Sequence, residues 1–163
     1  MAEDIYAFLD LEGIEGEAQD SDYEKKIELQ SFSWGASNNN SFSHGTGGSV
    51  SKGQIHDISF TKLADKASVR LMDRVVSGLH IKKAKVSLLK QSGEKKIPYL
   101  EIELTDVIVT SWQLSGSGGG HLPMESLTLH FVEVKSKYLP QGNEGDPSGN
   151  VDFGWNLQKN AAA

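Results

Sequence analysis

The chain has 163 residues, no cysteine, 17 glycines and a formal net charge of -6 at pH 7. That length fits a single domain that buries about two thirds of its unfolded surface without disulfides. The acidic balance argues against the cationic surface that nucleic acid requires, so no nucleic-acid partner is expected. No apolar run approaches the roughly 18 residues of a membrane-spanning helix, so no membrane insertion is expected.

The N-terminal part predicts a strand and then an acidic loop. Residues 5–11 form the strand, and the chain start lacks the basic and apolar regions of a classical signal peptide. Residues 13–24 are acidic and interrupted by glycine, with Asp20 and Asp22 two positions apart. Calcium binding is one interpretation, but the spacing lacks the central glycine and terminal glutamate of a calcium loop. A solvated loop is therefore preferred.

The next strand, residues 27–34, places two hydroxyls opposite two aromatic rings. Phe32 and Trp34 alternate with Ser31 and Ser33, and alternate residues of a strand point to opposite faces. If the aromatic side chains enter the core, the serines form a small polar patch on an outer or lumenal face. An ordinary solvated face explains the same pattern.

Residues 35–53 consist almost wholly of Gly, Ser, Asn and Thr. A loop of this length inside a domain is uncommon and is usually functional, so it is either disordered or a protruding hairpin that orders against a partner. It lacks the glycine and lysine spacing of a phosphate loop. Asn39 begins a glycosylation triplet, which carries little weight without a signal peptide.

The middle of the chain predicts a strand, a helix and a further strand. After the strand over 54–63, the helix is expected at about 65–77, capped by Asp65 and stopped by Gly78. Its predicted buried stripe consists of apolar residues three and four apart, namely Val69, Met72 and Val76, widened by Leu71 and Val75. The lysine-rich strand over 79–90 is interpreted as an edge strand or a solvated face rather than an anion site.

A long hairpin over 99–138 dominates the C-terminal half. Its first arm places Leu100, Ile102, Leu104, Ile108, Trp112 and Leu114 on one face. In the second arm the apolar positions change phase after Phe131, which predicts a bulge or register slip. A short strand over 150–157 ends the predicted single domain, 1–160, and residues 161–163 are interpreted as a cloning remnant without a packing role.

The motifs of common active sites are missing from the sequence. The five histidines have no metal-ligand spacing and there is no cysteine to assist them. The run 116–120 completes neither a nucleophile elbow nor a dinucleotide fingerprint. The sequence therefore predicts no catalytic residue, no metal site and no cofactor.

Five segments carry a resemblance to a known family. They are IELQSFSWGAS at 27–37, DISFTKLADKASVRLMDRVVSGLH at 57–80, YLEIELTDVIVTS at 99–111, GSGGGHLPMESLTLHF at 116–131 and GWNLQKN at 154–160. Together with their order, they resemble the hemolysin-coregulated protein (Hcp) family, the tube component of bacterial type VI secretion systems. The resemblance covers essentially all of residues 1–160.

The resemblance implies a mainly β fold: a compact antiparallel β-barrel with one flanking helix at about 65–77 and a protruding loop at about 36–53. It also implies a homo-hexameric ring with a wide channel, rings stacked into a tube inside a contractile sheath, and secretion without a signal peptide. The implied partners are the sheath, baseplate and spike proteins and small effectors in the channel.

The resemblance also assigns roles to residues of this chain. Ser31 and Ser33 are the expected channel-facing contacts for effectors. Because a ring closed by rotation joins two different edges of each subunit, we further expect the ring seam to pair strand edges and to include Trp155, together with Val132 and Val134 beyond the phase change in the hairpin. The expected ring-stacking loop comprises Ser37, Asn38, Asn39, Asn40, Ser41, Phe42, Ser43, His44, Gly45, Thr46, Gly47, Gly48, Ser49, Val50, Ser51 and Lys52. Two alternatives stay open, namely a small-molecule or glycan-binding barrel and a secreted effector such as a hydrolase or toxin.

Overall fold

The structure is a computed structural model that describes residues 5–39, 52–140 and 149–163. Within these ranges the chain forms eleven strands and one helix, and all the strand pairs are antiparallel. The elements are β1 (Ile5–Leu11), β2 (Ile27–Glu28), β3 (Ser31–Ser33), β4 (Ala36–Ser37), β5 (Gln54–Ile55), β6 (Ile58–Leu63), α1 (Ala67–Ser77), β7 (Ile81–Ser92), β8 (Lys95–Ser115), β9 (Met124–Tyr138), β10 (Val151–Asn156) and β11 (Ala161–Ala162).

The sheet closes on itself through the short segment that joins β2 to β3. Strands pair in the order β2, β1, β7, β8, β9, β6 and β3. Between β2 and β3, the Leu29 amide donates to the Ala7 carbonyl of β1 at 2.9 Å, and the Gln30 amide donates to the Thr61 carbonyl of β6 at 2.8 Å. The same stretch of chain therefore bonds to both ends of the sheet, which gives the predicted antiparallel barrel with one helix.

The long hairpin is formed by β8 and β9, which pair from Leu100 opposite Tyr138 to Ser115 opposite Met124. The predicted phase change in β9 is present, since Phe131 and Val134 are both buried. The single apolar face predicted for β8 was wrong, because Val107 and Val109 are buried and Ile108 is only half-buried. Two irregularities cause this: Asp106 has a φ of 53°, and the register shifts between Val109 and Ser111.

The helix ends at Gly78 as predicted, but it begins at Ala67 with Lys66 rather than Asp65 at the N-cap, and it buries a different face from the predicted one. The Asp65 carboxylate accepts a hydrogen bond from the Ala67 amide at 2.9 Å, and Gly78 ends the helix with a φ of 70°. The buried face contains Ala67, Leu71 and the half-buried Val75, which are four residues apart.

The predicted helix stripe was therefore wrong for three residues. Val69, Met72 and Val76 are exposed. The N-terminal turn is fixed by Ser68, whose hydroxyl donates to Glu125 in the barrel at 2.6 Å. Because that anchor turns Ala67 and Leu71 inward, the alternative stripe faces outward.

Two further expectations about strands need correction. The lysine-rich strand β7 pairs with both β1 and β8, so it is not an edge strand; Lys82 and Lys83 are exposed, in agreement with the solvated alternative. The C-terminal alanines do have a packing partner, because Ala161 and Ala162 pair with Asn156 and Trp155 of β10.

Candidate functional site

The two predicted channel serines lie on an exposed part of the barrel wall. Ser31 and Ser33 are exposed on β3, with Thr61 and Ser59 of β6 directly opposite them. The Ser31 and Thr61 hydroxyls share a hydrogen bond of 2.5 Å. Phe32, between the serines, lies opposite the buried Phe60, so the serines point away from the core.

These hydroxyls belong to two rows that cross four neighbouring strands. One row contains Ser33, Ser59, Thr128 and Ser111. The other contains Ser31, Thr61, Ser126 and Gln113. We call these eight residues the hydroxyl face, and none of them carries an ionisable group. The Ser59 and Thr128 hydroxyls are also hydrogen-bonded, at 3.2 Å.

Sequence reasoning found only two of the eight residues. Each strand shows the alternation of polar and apolar positions, but the rows exist only because distant strands pair in a particular register. Ser59 and Thr128 are 69 residues apart in the chain. The alternation of polar and apolar residues within β6 and β9 was the available signal for these positions. It does not show which strands pair with each other.

The barrel wall formed by β1, β7, the first half of β8 and the second half of β9 has the opposite chemistry. A row of directly opposed residues alternates in charge, with Asp10, Lys85, Glu103 and Lys135 on successive strands. Lys85 also pairs with Glu101 at 3.5 Å. We call this row the charged face. The barrel therefore presents a neutral hydrogen-bonding surface and a separate surface of alternating charge.

A network of buried polar groups holds the helix against the barrel. Lys62 and Glu125 are fully buried and form an ion pair. Lys62 also donates to the Asp65 carboxylate at 2.9 Å, and Glu125 accepts hydrogen bonds from Ser68 and from the Trp112 indole. These contacts join β6, α1, β8 and β9. Because the pair is closed off from solvent, its role is structural.

The base of the expected ring-stacking loop is tied to the C-terminal tail. The Lys52 ammonium donates to the Asn160 carbonyl at 2.7 Å and lies 5.9 Å from the centre of the Trp155 ring. At the start of the same loop, the Ser37 hydroxyl is 2.9 Å from His56 Nε2. Residues 40–51 of the predicted loop lie outside the described residues. The described residues of the loop base therefore contact the C-terminal tail.

The three expected seam residues are close together but differ in exposure. Trp155 lies directly opposite Val134, and the Leu157 amide donates to the Val132 carbonyl at 2.7 Å. Val134 is fully buried in its own chain, whereas Val132 and Trp155 are half-buried. Val134 thus has no side-chain surface to offer a neighbour.

The acidic loop is held by lysines. The hydrogen bond from Lys96 lowers the pKa of the Asp20 carboxyl, and the same bond raises the pKa of Lys96. The bond from Lys66 likewise lowers the pKa of Glu15. In the part of the chain that the structure describes, no three His, Asp or Glu side chains are grouped so as to hold a metal ion. Over the same residues, no helix has the length and apolar content needed to cross a membrane.

Comparison with known proteins gives a consistent set of relatives. The model of a family described as "Type VI secretion system effector, Hcp" matches residues 8–138. Protein hcp1 of Pseudomonas aeruginosa is 37% identical over 157 residues, which make up 96% of this chain and 97% of that protein.

Solved structures agree in fold over nearly the whole chain. A structure of a type six secretion system protein has a TM-score of 0.90 at 31% identity, covering 98% of this chain and 100% of that one. Hcp1 from Salmonella typhimurium has a TM-score of 0.77 at 29% identity, covering 98% and 99% of the two chains.

Proposed function

The chain belongs to the Hcp family and is a tube component of the type VI secretion system, and from that premise we propose that six copies close into a ring with a wide channel. Rings stack into the inner tube, which a contractile sheath propels together with baseplate and spike proteins. The protein is made in the bacterial cytoplasm and leaves the cell by this route, reaching the extracellular space or a target cell.

The observation that carries the channel assignment is the division of the barrel wall into two chemically different faces. The hydroxyl face lines the channel, and Ser31 and Ser33 are its effector contacts together with the six residues in register with them. A neutral surface of donors and acceptors forms hydrogen bonds of modest net strength, about 0.5–1.5 kcal/mol each. Such a wall holds small effectors without trapping them.

The charged face points away from the channel, toward the sheath. Surfaces of alternating sign favour partners with the complementary pattern and reject like charges. The row from Asp10 to Lys135 spans four strands, so it offers a repeated pattern around a six-membered ring. This placement leaves the uncharged wall for cargo.

Stacking between rings uses the end of the barrel from which the loop over residues 37–52 emerges. The Lys52 contact with Asn160 supports one stacking surface built from the loop and the tail. Val132 and Trp155 contribute to the ring seam at the border of this surface, whereas the buried Val134 acts by supporting Trp155 from within.

The role in this proposal is structural rather than enzymatic. The matching family model and one similar solved structure are both described as belonging to type VI secretion, and this favours the tube over a small-molecule or glycan-binding barrel and over a secreted hydrolase or toxin. In this proposal the chain forms the channel wall and the contact surfaces, and any enzymatic activity belongs to the effectors that it carries.

The oligomer provides the direct test. Light scattering on the purified full chain is expected to give the mass of six copies, and negative-stain images are expected to show rings with an open centre. A protein that stays monomeric across the accessible concentration range contradicts the proposal. Rings without a central opening contradict the channel.

A further inference from the structure

Helix α1 presents an apolar stripe that no other described part of its own chain covers. Val69 is 71% exposed and Val76 is 82% exposed, with the half-exposed Met72 between them. The spacing of three and four residues places all three on one helix face. Soluble monomers rarely leave such a continuous apolar stripe in water, so the exposed face marks an interaction surface.

A second apolar surface, which the described residues leave uncovered, lies on β10, and β10 extends the sheet beyond the closed barrel. Val151, Phe153 and Trp155 pair with Tyr138, Ser136 and Val134 of β9. Those β9 residues in turn lie opposite Leu100, Ile102 and Leu104 of β8. Because Ile102 and Leu104 are buried in the core and opposed residues share a face, β10 continues the core-facing side of the sheet.

This continuation emerges into solvent at its outer end. Trp155 is half-buried against the core, but Phe153 is 48% exposed and Val151 is 64% exposed. The patch therefore consists of Tyr138, Val151 and Phe153. The residues that the structure describes place no second layer over this apolar side of the sheet, although such a layer normally covers it.

We infer that the α1 stripe of one copy packs on the β10 patch of the next copy and forms the ring seam. This inference rests on the ring proposed above and names the surfaces that close it. A ring generated by rotation joins two different surfaces of the same chain, head to tail. The chain offers two such surfaces of matching chemistry, and a helix laid on the apolar side of a sheet is the ordinary layered packing of protein domains.

The charges beside the two surfaces fit the same arrangement. The exposed Asp73 follows Met72 on the stripe side of α1. Beside the patch, Lys90 lies 5.0 Å from the centre of the Tyr99 ring, and that ring packs edge-on against Tyr138. A neighbour seated on the patch thus brings a carboxylate toward a cation. Burial of both apolar surfaces explains why the helix keeps three outward apolar residues.

The test breaks one surface at a time. V69E/V76E removes the stripe and V151E/F153E removes the patch, while V151E alone is the milder patch variant. L122E is the matched control, since Leu122 is also exposed and apolar but lies in the turn between β8 and β9. Circular dichroism melts establish that each variant is folded before light scattering gives its mass.

Both double variants are expected to be folded monomers at concentrations where the unchanged chain and L122E form rings, so the mass falls about sixfold when the cyclic contact is lost. An equimolar mixture of the two double variants is expected to give a dimer of one copy of each, because the intact patch of one meets the intact stripe of the other. V151E is expected to raise the concentration needed for rings by about tenfold.

Rings that persist in either double variant overturn the seam while leaving the ring proposal standing. A mixture that stays monomeric shows that the stripe and the patch are not partners, and it also overturns the seam. If the unchanged chain itself forms no ring, the proposed function fails and the seam fails with it.

Discussion

The ammonium group of Lys62 donates a hydrogen bond to the carboxylate of Glu125 inside the barrel, and neither side chain is exposed to solvent. The two residues are 63 positions apart in the chain and belong to adjacent strands, β6 and β9. Since Glu125 also accepts a bond from Ser68 at the start of α1, the pair fixes the helix as well as the sheet. It thereby fixes which helix face points outward.

Replacing Lys62 by Met is expected to lower the free energy of unfolding by about 3–5 kcal/mol, because it leaves Glu125 as a buried charge without its partner. Urea denaturation of the purified chain measures the change. K26M is the control: it removes the exposed pair between Lys26 and Asp10, 2.9 Å apart, and is expected to cost no more than about 1 kcal/mol. Equal losses in the two variants would contradict a structural role for the buried pair.

The position of the buried pair was available in the sequence, whereas the helix orientation was not. Lys62 continues the inward alternation of Ile58 and Phe60, and Glu125 precedes Leu127 in the same phase, so strict alternation places both in the core. The helix, by contrast, has apolar residues on two sides. Only its contacts with the barrel determine which of those sides is buried.

The hairpin could likewise be predicted from the sequence, whereas the hydroxyl face could not. The ends of β8 and β9 follow from local alternation and the glycine-rich turn, so the hairpin could be predicted. The positive φ of Asp106 and the register shift before Ser111 exchange the inner and outer residues of β8, and the sequence has no glycine there to signal it. The pairing of Ser59 with Thr128 is likewise a property of sheet register between distant segments.

Asp20 and Lys96 make the stability of the chain depend on acid. Because the Lys96 hydrogen bond lowers the pKa of Asp20, the folded chain binds this proton less readily than the unfolded chain, whose aspartate pKa is about 3.9. The stabilisation is complete above that unfolded value and is lost as the pH falls through the folded pKa.

D20N is therefore expected to be less stable than the unchanged chain at pH 7, and this deficit is expected to be smaller at about pH 2. Urea denaturation at both pH values measures the difference. E24Q changes an exposed acid of the same loop and serves as the control. A D20N deficit that is the same at both pH values would show that the asparagine disturbs packing rather than the ion pair.

The hydroxyl face predicts how cargo responds to charge. S126K places a lysine on an exposed position in register with Thr61 and Gln113, and in a six-membered ring it adds six charges to the channel wall. Effectors co-purified with the ring are expected to decrease, with ring mass unchanged.

S126A tests the hydroxyl alone, and the loss of one hydrogen bond is expected to weaken cargo binding by about threefold to tenfold. K135Q alters the charged face and is the matched control, for which effector yield is expected to stay unchanged. If K135Q removed the effectors and S126K did not, the two faces would have to exchange places in the tube.

Stacking of rings is expected to depend on the Lys52 contact with the tail. K52A removes both the hydrogen bond to Asn160 and the approach to the Trp155 ring. A loss of about 0.5 kcal/mol in each of six subunits amounts to about 3 kcal/mol per ring, or roughly a hundredfold in the stacking equilibrium.

Deleting residues 39–49 is expected to abolish tubes and leave rings intact, whereas K52R, which keeps the cation, should retain tubes. Tube length in negative-stain micrographs measures all three, and tubes of unchanged length after the deletion would remove the loop from the stacking surface.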